Sequence, residues 1–238
     1  MTMRTPGDDI ELTAGFLVSE GIVTAAGDII SIVLCTGERC GHADHEDDAR
    51  EGIGNVADVM LRPGLDSLAA KRNFLTTSAC GVCGKTSIAE LRVSSSHDLY
   101  RDRVSVGAAV LAALPDKLRD AQRVFARTGG LHAAGLFSAD GTLLAVREDV
   151  GRHNAVDKVV GWALLAGRLP LSGCVLLVSG RASFELAQKA VLAGIPVLAA
   201  VSAPSSLAVD LADDAGLTLV GFLRGGSMNV YAGSQRIS

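Results

Sequence analysis

Short apolar runs alternate with stretches of helical spacing through the C-terminal half of this chain, and that alternation limits the fold more than any other feature. Residues 175–178, 196–201 and 218–223 read as buried strands, and 183–193 and 205–215 as the helices between them. Strand, helix, strand, helix, strand with such short links predicts a parallel or mixed sheet covered by helices. Just upstream, 155–165 reads as an apolar helix. Residues 132–137 and 143–146 flank Ser138-Ala139-Asp140-Gly141, which is a hairpin signal. A helix is expected over 106–126, with Pro115 as its break point.

The first hundred residues are less regular. Ile10, Ala14, Leu17 and Val18 recur at helical spacing within 9–20, with Asp8 and Asp9 placed to cap the start. Residues 29–34 and 55–61 read as strands, and 37–54 as an acidic loop. The expectation is an α/β fold in two parts: a smaller α+β domain over 1–103 and an α/β domain with a mixed sheet over 104–238. The 238 residues are enough for a substantial core.

Charge and composition exclude several function classes. A net charge of -4 offers no electrostatic footprint for a nucleic-acid backbone, and 4% aromatics offers few stacking platforms. The most apolar stretch, 159–178, is interrupted by Arg168, Pro170 and Ser172, so no membrane span is expected. The opening Met1-Thr2-Met3-Arg4-Thr5-Pro6 runs into acidic Gly7-Asp8-Asp9 without an apolar core of a signal peptide. These features predict a cytoplasmic protein whose five cysteines are reduced thiols.

The segment SACGVCGKTS, 78–87, admits two chemistries. Gly84-Lys85-Thr86 resembles the end of a phosphate-cradling loop, but the glycine required five positions earlier is Ala79. The apolar strands also end in Ser179-Gly180 and Ser202-Ala203 rather than in a metal-holding aspartate. Sulfur chemistry fits better. A thiolate is the nucleophile, and a nearby cation such as Lys85 favours it over the thiol. Gly81 and Gly84 frame Cys80 and Cys83 as a small, pliable pair without the flanking Trp and Pro of a thioredoxin-like hinge. A structural zinc site built with Cys35, Cys40, His42 and His45 stays open as an alternative, as does an inert pair. Cys35 ends an apolar strand and reads as core; Cys174 opens one and reads as packing.

Several longer stretches carry a family resemblance: TMRTPGDDIELTAGFLVSEG, NFLTTSACGVCGKTS, TGGLHAAGLF, REDVGRHNAVDK, SGRASFELAQKA and VSAPSSLAVDLADDAGLTLVGFLRGGSMNVY. Together they span nearly the whole chain, which resembles the FdhD family of accessory sulfurtransferases needed for formate dehydrogenase activity. The resemblance implies a cytidine-deaminase-like C-terminal domain and a homodimer. It implies that sulfur passes from a cysteine desulfurase to the molybdenum cofactor, bis-molybdopterin guanine dinucleotide, and that formate dehydrogenase is the target. In that reading Cys80 carries the sulfur as a persulfide and Cys83 assists. The family's cofactor-binding segment corresponds to Phe222, Leu223, Arg224, Gly225, Gly226 and Ser227. The zinc-deaminase signature is absent, since His132 is followed by Ala133-Ala134 and no C-x-x-C follows, so deamination and a catalytic metal are not expected.

A large anionic cofactor calls for backbone N–H groups, helix starts and arginines. Ser179, Gly180 and Arg181 lie where a strand gives way to a helix, Gly130 precedes the first hairpin strand, and both positions suit such a ligand. The run Arg147-Glu148-Asp149-Val150-Gly151-Arg152-His153-Asn154 reads either as a capping and salt-bridge cluster or as part of the site, through Arg152 and His153. His132 reads as a core histidine or a ligand contact. Lys158, Glu185 and Lys189 read as surface pairs on helices.

Overall fold

The structure is a computed structural model that describes residues 2–35, 55–65 and 97–238. Helix α1 (Asp9–Ser19) comes first, followed by the antiparallel strands β1 (Ile29–Cys35) and β2 (Val56–Leu61). Helices α2 (Ala108–Ala121) and α3 (Phe125–Thr128) lead into the hairpin of β3 (His132–Ser138) and β4 (Leu143–Asp149). The rest alternates: α4 (Arg152–Leu165), β5 (Cys174–Val178), α5 (Phe184–Leu192), β6 (Val197–Ala200), α6 (Ser206–Ala215), β7 (Thr218–Arg224) and β8 (Ser227–Ala232). Six strands make one mixed sheet in the order β4-β3-β5-β6-β7-β8. The strand pairs β5–β6 and β6–β7 are parallel; the outer pairs are antiparallel.

The expected mixed sheet covered by helices is therefore present, and the period of two explains why both faces are apolar. Leu136, Leu176, Leu198 and Leu219 face one side, where they pack with α1, α4, α5 and α6. Phe137, Val175, Leu177 and Val197 face the other, where Leu111, Leu114 and Leu118 of α2 cover them. That leucine stripe keeps α2 helical through Pro115, where the sequence suggested a break; the expected helix over 106–126 instead ends at Ala121. Strand β8 was not anticipated. It is an edge strand with mostly exposed residues, so it lacks the continuous apolar run that marks its buried neighbours.

Near the amino terminus, Leu17, Val18, Ile22 and Val23 join the same apolar cluster as α4 and α5. Helices α1 and α4 cross at Gly15 and Gly161. A Cβ at Gly15 would stand 1.8 Å from the carbonyl oxygen of Asp157, and one at Gly161 1.8 Å from that of Glu11. Only glycine permits this approach. The helix start differs from expectation: Asp8 occupies the N-cap position with left-handed φ and no side-chain cap bond, while Asp9 pairs with Arg4.

Two lysines expected at the surface are buried. Lys158 is 1% exposed and lies 2.9 Å from the fully buried carboxylate of Asp149. Lys189 donates to both oxygens of Asp157, at 2.7 and 2.8 Å, and Ser19 of α1 donates to the same carboxylate at 2.6 Å. A buried charge needs a partner and hydrogen bonds. Here α1, α4 and α5 supply them jointly. The guanidinium of buried Arg236 is held by carbonyl oxygens of Leu99, Asp102 and Gly216 and by the hydroxyl of Thr218, which ties the C-terminal tail down. Among the described residues no helix is long and apolar enough to cross a membrane.

Candidate functional site

Because β3 runs antiparallel to β5, the start of β3, the end of β4 and the carboxyl end of β5 share one edge of the sheet. His132 is opposite Asp149 in register, and Ala134 opposite Val178. Ser179 continues the pairing: its N–H donates to Ala133 O at 3.0 Å, and its hydroxyl accepts from Ala133 N–H at 2.9 Å. The same edge carries Gly130, His132, Arg152, His153, Ser179, Gly180 and Arg181. In open α/β sheets this is the end where ligands bind.

Packing brings several of these residues into one cluster. A Cβ at Gly180 would lie 3.3 Å from Nδ1 of His132 and 3.9 Å from Cδ of Arg152, so the imidazole rests directly over the glycine. Arg152 and His153 start α4. Nε2 of His153 sits 2.8 Å from Oε2 of Glu185 and 3.2 Å from the hydroxyl of Ser183, both at the start of α5. Burial lowers the pKa of His132 first, and the positive charges of Arg152, His153 and Arg181 lower it further. Glu185 is also shifted down, chiefly by its hydrogen bond from His153, against the opposing effect of burial. Arg152, Arg181 and the imidazoles of His132 and His153 thus share this end of the sheet, with the Glu185 carboxylate paired to His153.

The charged run before α4 divides into two jobs. Arg147 pairs with Glu11 through two contacts, 2.5 and 2.8 Å, and so faces α1. Glu148 accepts from the N–H groups of Val124 and Phe125 at 2.8 and 2.7 Å, which starts α3 and fixes the approach to Gly129 and Gly130. Asp149 accepts from Thr5 N–H, Gly151 N–H, the amide of Asn154 and Lys158, and Lys158 also donates to Thr5 O. Asn154 donates in turn to Met3 O. Neither Asp149 nor Asn154 is the N-cap of α4; Gly151 is. This buried lock sets the turn that presents Arg152 and His153. The salt-bridge reading of the run holds for Arg147 and Asp149, while the expected cap by Asp149 or Asn154 is replaced by Gly151.

The second part of the edge is the β7–β8 hairpin. Ser202, which sequence reasoning did not single out, links it to the β5 loop: its N–H donates to Gly180 O at 3.3 Å, and its carbonyl accepts from Phe222 N–H at 3.1 Å. Phe222 holds φ of 53°, a left-handed conformation costly for a non-glycine residue, and Arg224 lies over its ring at 5.8 Å from the centroid. Gly225 and Gly226 form the two-residue turn, both with positive φ, and Ser227 pairs with Arg224 across it. Leu223 is buried in the core beneath. A hidden signal was available here: Gly-Gly between alternating apolar residues marks a hairpin.

The cysteines are less completely placed. Cys80, Cys83, Cys40, His42 and His45 lie outside the described residues. Cys35 corrects an expectation: it is buried at the end of β1, but it is disulfide-bonded rather than a reduced core thiol. A strand-end position alone carries no signal of such pairing. Cys174 is a free, half-buried thiol whose pKa burial pushes up.

Comparison with known proteins covers the whole chain. The sequence profile described as the FdhD/NarQ family matches residues 1–238. The sulfur carrier protein FdhD of Mycolicibacterium paratuberculosis is 61% identical over 239 residues, spanning 100% of this chain and 85% of that protein. The protein of the same name from Streptomyces avermitilis is 59% identical, spanning 100% and 83%. A crystal structure of a formate dehydrogenase accessory protein from Desulfotalea psychrophila superposes with a TM-score of 0.71 at 26% identity, covering 100% of this chain and 83% of that one.

Proposed function

Since the chain belongs to the FdhD/NarQ family, we propose that it is a sulfur carrier serving formate dehydrogenase, acting through a persulfide on Cys80. A cysteine desulfurase is the donor. The Cys80 thiolate attacks the outer sulfur of the donor's persulfide, the donor's S–S bond breaks, and the donor leaves as a thiolate. Cys80 keeps the extra sulfur without any net oxidation, and Cys83 assists its passage. The acceptor is the molybdenum cofactor, bis-molybdopterin guanine dinucleotide, bound as substrate by a cytoplasmic homodimer with a cytidine-deaminase-like C-terminal domain.

One observation carries the cofactor half of this reading. His132 and Arg152 lie over Gly180 at the sheet edge where the strands of an open sheet expose their ligand end, the charges of His153 and Arg181 act on His132 there, and Ser202 ties that cluster to the Phe222–Arg224 hairpin. Guanidinium groups, a glycine that lets an anion approach the backbone and a half-buried aromatic ring suit phosphates and a flat base.

Intact-mass analysis after incubation with a cysteine desulfurase and cysteine tests the sulfur half. One added sulfur atom is expected on the wild type and none on Cys80→Ala, which should still fold and bind cofactor. Absence of added sulfur on the wild type rejects the reading. A cofactor-binding chaperone without sulfur transfer is the contrasting function, and it would activate formate dehydrogenase with both cysteines replaced.

A further inference from the structure

The segment ahead of α1, Thr2-Met3-Arg4-Thr5, lies across the turn between β4 and α4. Thr5 directs all three of its polar groups at that turn and its anchors. Its N–H donates to the Asp149 carboxylate at 3.0 Å, its carbonyl accepts from Lys158 at 3.0 Å, and its hydroxyl accepts from Val150 N–H at 2.9 Å. The amide of Asn154 donates to Met3 O at 2.8 Å, and the Thr2 hydroxyl donates to Asn154 Oδ1 at 3.2 Å. The turn is short: Asp149 ends β4, Gly151 is the N-cap of α4, and Arg152 and His153 are the first two residues of the helix. Residues 2–5 therefore strap the turn from Asp149 to Asn154. The strap is anchored in its own right. Arg4 pairs with Asp9 at 2.6 Å, Gly7 and Asp8 reverse the chain with φ of 104° and 56°, and α1 then packs on α4 at Gly15 and Gly161.

We infer that Thr5 is a positioning residue for the cofactor site: its hydroxyl holds Val150, and through that turn it fixes the directions of Arg152 and His153. This rests on the reading that the cofactor binds at this end of the sheet. The buried Asp149–Lys158 pair holds both sides of the turn, β4 and α4, but Val150 stands between them and is 43% exposed. A peptide group at such a crest is free to rock unless a partner holds it. Thr5 supplies that partner as an acceptor for the Val150 N–H. Rocking there would carry into the first turn of α4, where His153 meets Glu185 at 2.8 Å and Ser183 at 3.2 Å, and Arg152 lies beside Gly180. A binding group is only as well placed as the shell that supports it.

Thr5→Val and Thr5→Ser separate positioning from stability. Valine keeps the shape and loses the hydroxyl; serine keeps the hydroxyl and loses the methyl. Guanosine diphosphate, which reproduces the nucleotide end of the cofactor, is the probe. It is titrated calorimetrically into the full chain, with thermal midpoints measured on the same samples. Thr5→Val should bind it about three- to tenfold more weakly than the wild type, the range that one lost hydrogen bond can transmit. Thr5→Ser should bind it as the wild type does, even where its thermal midpoint falls. Amide exchange of the wild type decides the matter without any variant: Val150 N–H, although on an exposed residue, should be protected. Undiminished affinity in Thr5→Val, equal weakening in Thr5→Ser, or an unprotected Val150 N–H would each overturn the inference and leave the cofactor reading in place. Absence of guanosine diphosphate binding by the wild type would remove both together.

Discussion

Replacing Gly15 by alanine tests the closest packing contact in the fold, and two arguments predict opposite signs for it. By helix propensity alone, alanine in the middle of α1 should stabilise the protein by up to about 1 kcal/mol. The tertiary contact says otherwise. The new methyl would sit 1.8 Å from Asp157 O, 2.6 Å from Asp157 C and 2.8 Å from Gly161 N, all backbone atoms of α4. No side chain can swing aside, so the helices must part by roughly 1.5 Å to reach ordinary contact. Parting them also pulls Ser19 from the carboxylate that Lys189 shares. Overpacking of a rigid site costs about 3 kcal/mol, leaving a net loss of about 2 kcal/mol. For a chain of this size that is a fall of roughly 4–8 °C in thermal midpoint. Denaturant and thermal unfolding of the purified variant measure it. Gly161→Ala should behave alike, and the double variant should lose less than the two singles together, because the first substitution already separates the helices. A Gly15→Ala protein as stable as the wild type, or more so, would refute the reasoning.

Two further outcomes follow from the buried and half-buried charges. Lys158→Met should cost about 3–5 kcal/mol in denaturant unfolding, because it leaves the Asp149 carboxylate buried without its cation; Asp149→Asn added on top should restore part of the loss. Glu185→Gln removes a carboxylate whose pKa is held down by the hydrogen bond from His153. A depressed carboxylate contributes its stability above the unfolded pKa and loses it as pH falls through the folded one. The stability gap between wild type and variant should therefore be full at neutral pH and close below about pH 4, in unfolding curves measured across pH; a gap that widens toward acid would contradict the assignment.

The alternation of apolar runs with helical stretches was enough to place β3 to β7 and the helices between them, because a strand buried on both faces must be apolar throughout and Leu176, Leu177, Leu198 and Val220 show it directly. Anion chemistry at strand-to-helix junctions made Arg152, His153 and Gly180 candidates from the sequence, and the family segment made Arg224 one. Tertiary structure alone decided the partners. Lys158 and Lys189 read as surface residues since a lysine's burial depends on a carboxylate brought from a distant element, Asp149 and Asp157 here, and no local pattern encodes that meeting. The same holds for Gly15 against Gly161, and for Ser202 joining two loops: each is a distance between residues far apart in the chain, set only when the helices and sheet close on one another.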